Sequence, residues 1–245
     1  MNGLAYKEWQ QNKWFILATA LCGFIPLVIT LMFRGYAPEV NEQEVLNSGC
    51  EWARGCGIVI AFLVAGFIES MVVFRSDDRK IWGYFISSTS EGYRGFLRVK
   101  YELIYIMICI LTFILAEADM LITAFMYDKD GTMAGDMTVL IFASAIIQLL
   151  LRATDIPFII RFGEKKGNTI KLIILLILFI ILCVVVLTDF ADINVRLYDL
   201  FSVFADEEKG MTAIAVCAVG VFILYFFSYR ISCRLYLKGV EQYVK

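Results

Sequence analysis

Six apolar stretches, each near the length needed to cross a bilayer, divide this chain of 245 residues. They run Trp14–Phe33, Gly57–Phe74, Tyr101–Met126, Met137–Ile160, Leu172–Thr188 and Met211–Tyr229. A spanning helix takes about 20 apolar residues. Backbone against lipid must satisfy its own polar groups, which leaves helices or closed barrels. The segment Leu172–Val186 reads LIILLILFIILCVVV and has none of the alternation a barrel strand requires. The sequence therefore predicts an all-α integral membrane protein with six transmembrane helices. Hydrophobic residues form 60% of the chain and mean hydropathy is +0.74, beyond a typical soluble domain.

Orientation is read from Lys and Arg near the span ends rather than from net charge. With the N-terminus inside, sixteen of the 22 basic residues fall in inner segments. Only Arg34, Arg54, Lys129, Arg196 and Lys209 fall in outer loops, and Arg152 lies inside a span. This asymmetry places both termini in the cytoplasm. The net charge of −2 conceals it. No cleavable signal peptide is expected, because the first apolar run starts after Lys13, is long, and lacks a small-residue exit.

The composition excludes several chemistries. Histidine is absent, which removes histidine-based catalysis and histidine metal sites. The hydrophilic segments are too short to bury a core of their own, so residues 1–245 read as one membrane domain. No G-x-x-x-x-G-K-[ST] phosphate loop occurs, so any ATP must be bound by another chain. No metal site and no nucleic-acid partner are expected. Of seven cysteines, Cys22, Cys109, Cys183 and Cys217 lie within spans and read as packing residues. Cys50 and Cys56 share the first outer loop, where an oxidising exterior would let them form a disulfide; spacing alone does not decide it.

Three hydrophilic segments stand out. Residues 1–13 mix Leu4, Tyr6 and Trp9 with Lys7, Glu8 and Lys13, which suits either a helix lying in the interface or an aromatic belt before the first span. Residues 189–210, the last outer loop, repeat Ile193, Leu197, Leu200, Phe201 and Phe204 at helical spacing, as an amphipathic surface helix would. Residues 75–100 place Asp77, Asp78, Arg79 and Lys80 before Ile81, Trp82, Tyr84 and Phe85. Ser88 and Glu91 then have capping-box spacing, from which a helix would continue through Tyr93, Leu97 and Val99 into the third span. The plain alternative is a positive-inside loop with interface aromatics.

Five ionisable residues interrupt the spans: Glu69, Glu117, Asp119, Arg152 and Asp155. A charge at mid-bilayer costs about 2.5–3.5 kcal/mol on insertion scales, so such residues have partners or face water. Asp155 is three residues from Arg152 and Glu69 lies at similar depth, so one of these carboxylates is expected beside Arg152. Glu117 and Asp119 read either as a cation or proton path or as acids at an outer interface where the third span ends. Pro157 is expected to release a carbonyl of the fourth helix to a neighbouring polar group.

The stretch Asp78-Arg79-Lys80-Ile81-Trp82-Gly83-Tyr84-Phe85-Ile86-Ser87-Ser88-Thr89, closing on Val99-Lys100-Tyr101, resembles the loop between spans two and three of type-2 ATP-binding-cassette (ABC) transporter permeases. It is most similar to the small bacterial branch without a fused ATPase. Ser90 stands where that branch usually has proline. Asp155-Ile156-Pro157-Phe158 with Arg161-Phe162-Gly163-Glu164-Lys165-Lys166, and Ser228-Tyr229-Arg230-Ile231-Ser232 with Leu235-Tyr236, resemble the family's fourth-span end and C-terminal exit.

The resemblance implies a permease subunit of an ATP-driven exporter in a bacterial plasma membrane. Two permease subunits, identical or different, would form the pathway, and separate cassette ATPases would bind ATP and Mg beneath it. The loop of residues 75–100 would be the coupling element, with Trp82, Tyr84 and Phe85 as anchors in an ATPase groove and Arg79, Lys80 and Glu91 setting polar registration. The chain itself would be neither an enzyme nor a cofactor binder. Against this stand an ion-coupled secondary transporter built on the span charges and an immunity-type accessory membrane protein.

Overall fold

The computed structural model describes residues 3–36, 43–74, 92–125, 137–162 and 207–241, with 169, 170, 173, 176, 177 and 180. Every regular element among the described residues is α-helical. The helices are α1 (Gly3–Cys22), α2 (Ile25–Tyr36), α3 (Gln43–Phe74), α4 (Gly92–Phe125), α5 (Thr138–Phe162) and α6 (Glu207–Glu241). Among the described residues, five stretches are long and apolar enough to cross a membrane: Gly3–Gly35, Ser48–Val72, Gly92–Ala124, Thr138–Phe162 and Thr212–Tyr236. The chain is a multi-pass membrane protein. Most of the predicted span Leu172–Thr188 lies outside the described residues. Its described positions are helical, and Ile173, Leu176, Ile177 and Ile180 are exposed along one helical stripe.

The first predicted span is two helices, and the aromatic N-terminal segment is continuous with the first of them. The buried residues of α1 are Glu8, Asn12, Ile16, Thr19 and Cys22, one face at intervals of three and four. Trp9, Trp14, Leu17 and Leu21 are exposed. The helix is thus polar inward and apolar outward, the arrangement lipid favours. The chain tightens at its end through Gly23 N–H to Ala20 O and Phe24 N–H to Leu21 O, both 3.1 Å. Pro26 then sits in the first turn of α2, where a missing N–H costs nothing. Against it lies Gly57 of α3, where a Cβ would fall 2.6 Å from Pro26 Cα. Only glycine permits that approach.

Helix α3 starts well before Gly57 and carries Cys50, Arg54 and Cys56 on regular helix rather than in a loop. Both cysteines are unbridged, Cys50 buried and Cys56 exposed. Six residues of helix separate them by about 9 Å along the axis. A disulfide requires Cα atoms roughly 4.4–6.8 Å apart, so this helix holds the two thiols out of bonding range. Helix α4 opens on Gly92 at φ 58°, a left-handed conformation suited to glycine, and runs unbroken to Phe125.

Close packing divides the chain into two compact units: Met1–Arg75 with Arg98–Leu149, and Ser76–Leu97 with Leu150–Lys245. The first has an apolar core of Ile16, Val72, Leu103 and Met107, flanked by Phe15, Ile68 and Ile110. Lipid is as apolar as leucine, so shape fit and interhelical hydrogen bonds hold such a unit together more than exclusion from water does. One such bond runs from Gln148 Nε2 to Phe62 O at 2.7 Å.

Candidate functional site

The six residues expected to contact an ATPase, Arg79, Lys80, Trp82, Tyr84, Phe85 and Glu91, lie outside the described residues. The helices on either side of that loop are described, and both flanks are tied down. In the first unit, Lys100 of α4 reaches back to the last turns of α3, its Nζ 3.4 Å from Val72 O. The same ammonium lies 3.6 Å from Glu8 Oε2 of α1. Asn12 Nδ2 donates to Glu8 O at 2.9 Å and to Glu8 Oε2 at 3.2 Å, and Lys7 Nζ lies 3.5 Å from Glu8 Oε1. Glu8, Asn12 and Lys100 are all buried. A buried carboxylate persists because a cation and an amide stand beside it.

In the second unit, the start of α4 is joined to α6. Tyr229 Oη donates to Arg94 O at 3.2 Å. The Tyr93 and Tyr236 rings stack with centroids 6.0 Å apart and planes 12° apart. Arg94 lies over the Tyr93 ring at 5.8 Å. Sequence reasoning marked Tyr229 and Tyr236 only as part of an exit motif. Their seven-residue spacing, two helical turns, was the available sign that both face one partner.

The same helix α6 contacts α5. Pro157 has no N–H for the carbonyl four residues earlier, which belongs to Ala153. Ser228 Oγ donates to that carbonyl at 2.6 Å. The expected release of a carbonyl, and its capture by a neighbouring polar group, are both present. Arg152 Nη1 lies 3.4 Å from Asp155 Oδ2, one helical turn away, and both are buried. Asp155 is thus one carboxylate beside Arg152. The pairing neutralises charge at a level where solvation is poor.

Asp119 has a partner that sequence reasoning did not assign. Arg54, read from sequence as an outer-loop residue, is fully buried, and its Nε lies 2.7 Å from Asp119 Oδ1. Met137 N–H donates to Asp119 Oδ2 at 3.4 Å, just before α5 begins. The carboxylate therefore also faces the positive end of a helix. Helix α4 continues past both acids to Phe125, so the helix does not end at them. Glu117 is exposed while Asp119 is buried, so the two do not share one environment. Glu69 is fully buried on α3, within electrostatic range of Cys22. Among the described residues no three metal-ligating side chains gather.

Two buried charge contacts, Arg54 with Asp119 and Lys100 with Glu8, thus run between helices, and the ends flanking residues 75–91 are fastened to other elements. A family model described as ABC-2 family transporter protein matches residues 53–237, from within α3 to within α6. No curated protein matches the chain, and no solved structure does. The match covers well over half the sequence and contains the loop, Pro157 and the Tyr229–Tyr236 exit, so this chain belongs to the ABC-2 family of transporter proteins.

Proposed function

We propose that this transport permease is the membrane subunit of an ATP-driven exporter whose ATPase is a separate chain. Two permease subunits form the pathway, both termini face the cytoplasm of a bacterial cell, and cassette ATPases dock beneath. ATP and Mg belong to those partners. Residues 75–91 receive the ATPase, with Trp82, Tyr84 and Phe85 as apolar anchors and Arg79, Lys80 and Glu91 around them.

The observation that supports this reading is the fastening of the loop's downstream flank. Tyr229 to Arg94 and Tyr93 on Tyr236 join the first turn of α4 to the far part of α6. A push on the loop would then pass to α6, and through Ser228 and Ala153 to α5. Rigid elements linked by a few polar contacts transmit displacement in this way. Of the four charges an ion-coupled transporter would use, Glu69, Glu117, Asp119 and Arg152, two already stand in ion pairs, Asp119 with Arg54 and Arg152 with Asp155.

The test is affinity purification of the tagged permease from native membranes. The wild-type chain should bring down a cassette ATPase, and Trp82→Ala with Phe85→Ala should reduce its yield at equal permease recovery. Equal ATPase yield together with unchanged transport would remove this loop from the mechanism.

A further inference from the structure

Helices α5 and α6 enclose a furrow of about 460 Å³ in the second unit. Its walls include Leu150, Pro157, Phe158, Leu224, Phe227 and Ile231. Two polar side chains also line it, and both are engaged within the protein. Ser228 Oγ donates to Ala153 O at 2.6 Å, and Thr154 Oγ1 donates to Leu151 O at 2.9 Å. The furrow therefore presents an apolar wall with little to orient a polar ligand along its length.

One end differs. Arg161 is the one charged residue among the described residues lining the furrow. Its guanidinium lies 5.2 Å over the Phe162 ring, held at the level of the apolar wall. Outside the furrow's lining, on the same part of α6, Arg230 lies over Phe226 at 5.3 Å and exposed Arg234 follows one turn later. Asp155 is the one acid in the segments 150–162 and 224–235, and it is paired with Arg152. An occupant of this furrow must be apolar along its length and anionic at one end. Phe227, Leu224 and Ile231 are about half exposed, so the furrow opens sideways to the surrounding bilayer.

We propose that the α5–α6 furrow binds one anionic phospholipid, an acyl chain lying against Pro157, Phe158 and Phe227 and the phosphate meeting Arg161. The bilayer supplies chains at high local concentration, and a basic group where the chain ends selects the negatively charged headgroups among them. The volume lies within the usual range for small-ligand sites. This site rests on the membrane reading alone and is independent of how the permease is powered.

The experiment uses the full-length protein in phosphatidylcholine vesicles, with Phe158→Trp as a reporter and the protein without that change as background. Brominated acyl chains on phosphatidylglycerol should quench the reporter at about fivefold lower mole fraction than the same chains on phosphatidylcholine. Arg161→Gln should erase the difference and Arg161→Lys should keep most of it. Arg98→Gln, at an exposed arginine elsewhere, should leave it unchanged. Equal quenching by both lipids, or a preference that survives Arg161→Gln, would overturn the site. So would no quenching by either lipid, which would mean that a second copy or another segment of this chain fills the furrow.

Discussion

The Ser228 hydroxyl sits 2.6 Å from the Ala153 carbonyl, the acceptor left over by Pro157 one turn along α5. Proline and serine lie on different helices but solve one problem together. Removing only the serine should leave a buried carbonyl unsatisfied, at a cost of about 1–3 kcal/mol. Ser228→Ala should therefore lower the melting temperature in detergent. Pro157→Ala in the same molecule restores an N–H to the helix and should recover much of the loss. If the double variant melts no higher than Ser228→Ala alone, the carbonyl is not what the serine serves.

The Arg54–Asp119 pair predicts a strong asymmetry between single and double changes. Arg54→Leu leaves the Asp119 carboxylate buried with its nearest cation gone, which typically costs about 3–5 kcal/mol. Replacing both residues with leucine removes both charges and should restore much of the stability. Thermal unfolding of the three variants in one detergent measures this. A double variant as unstable as Arg54→Leu would show that arginine packing, not charge pairing, governs the region.

The apolar helices were legible because hydropathy reports directly on lipid. Pro157 announced its lost hydrogen bond in the same direct way, and Asp155 stood near enough to Arg152 to be proposed as its partner. What escaped depended on contacts distant in sequence. Arg54 is 65 positions from Asp119 and precedes the apolar run by three residues, so it read as a loop cation. Glu8 and Asn12 looked interfacial because a polar residue near an end is usually solvated. Their burial needs Lys100 beside them, and nothing local in residues 1–13 announces Lys100. Cys50 and Cys56 looked like a loop pair only while α3 was assumed to begin at Gly57.

Arg152 and Asp155 share α5, so their pairing needs no second helix. Arg152→Leu should destabilise the protein, since it strands Asp155 in a buried position. Adding Asp155→Leu removes the stranded charge and should bring the melting temperature back towards wild type. Unchanged melting of Arg152→Leu in detergent would show that the pair contributes nothing to the folded state.

On the proposed function, Tyr229 separates holding an ATPase from being driven by it. Its hydroxyl donates to Arg94 O at 3.2 Å, while the loop residues proposed to touch the ATPase lie earlier, at 79–91. Tyr229→Phe removes one oxygen and keeps the ring, so the local cost should be about 1 kcal/mol and the fold should survive. The amount of ATPase recovered with the permease should not change. Transport in reconstituted vesicles at saturating ATP should fall, because the first turn of α4 has lost a hydrogen bond to α6. A parallel loss of ATPase recovery would place Tyr229 in docking rather than transmission. Wild-type transport by Tyr229→Phe would show that the stack of Tyr93 on Tyr236 suffices to join the two helices.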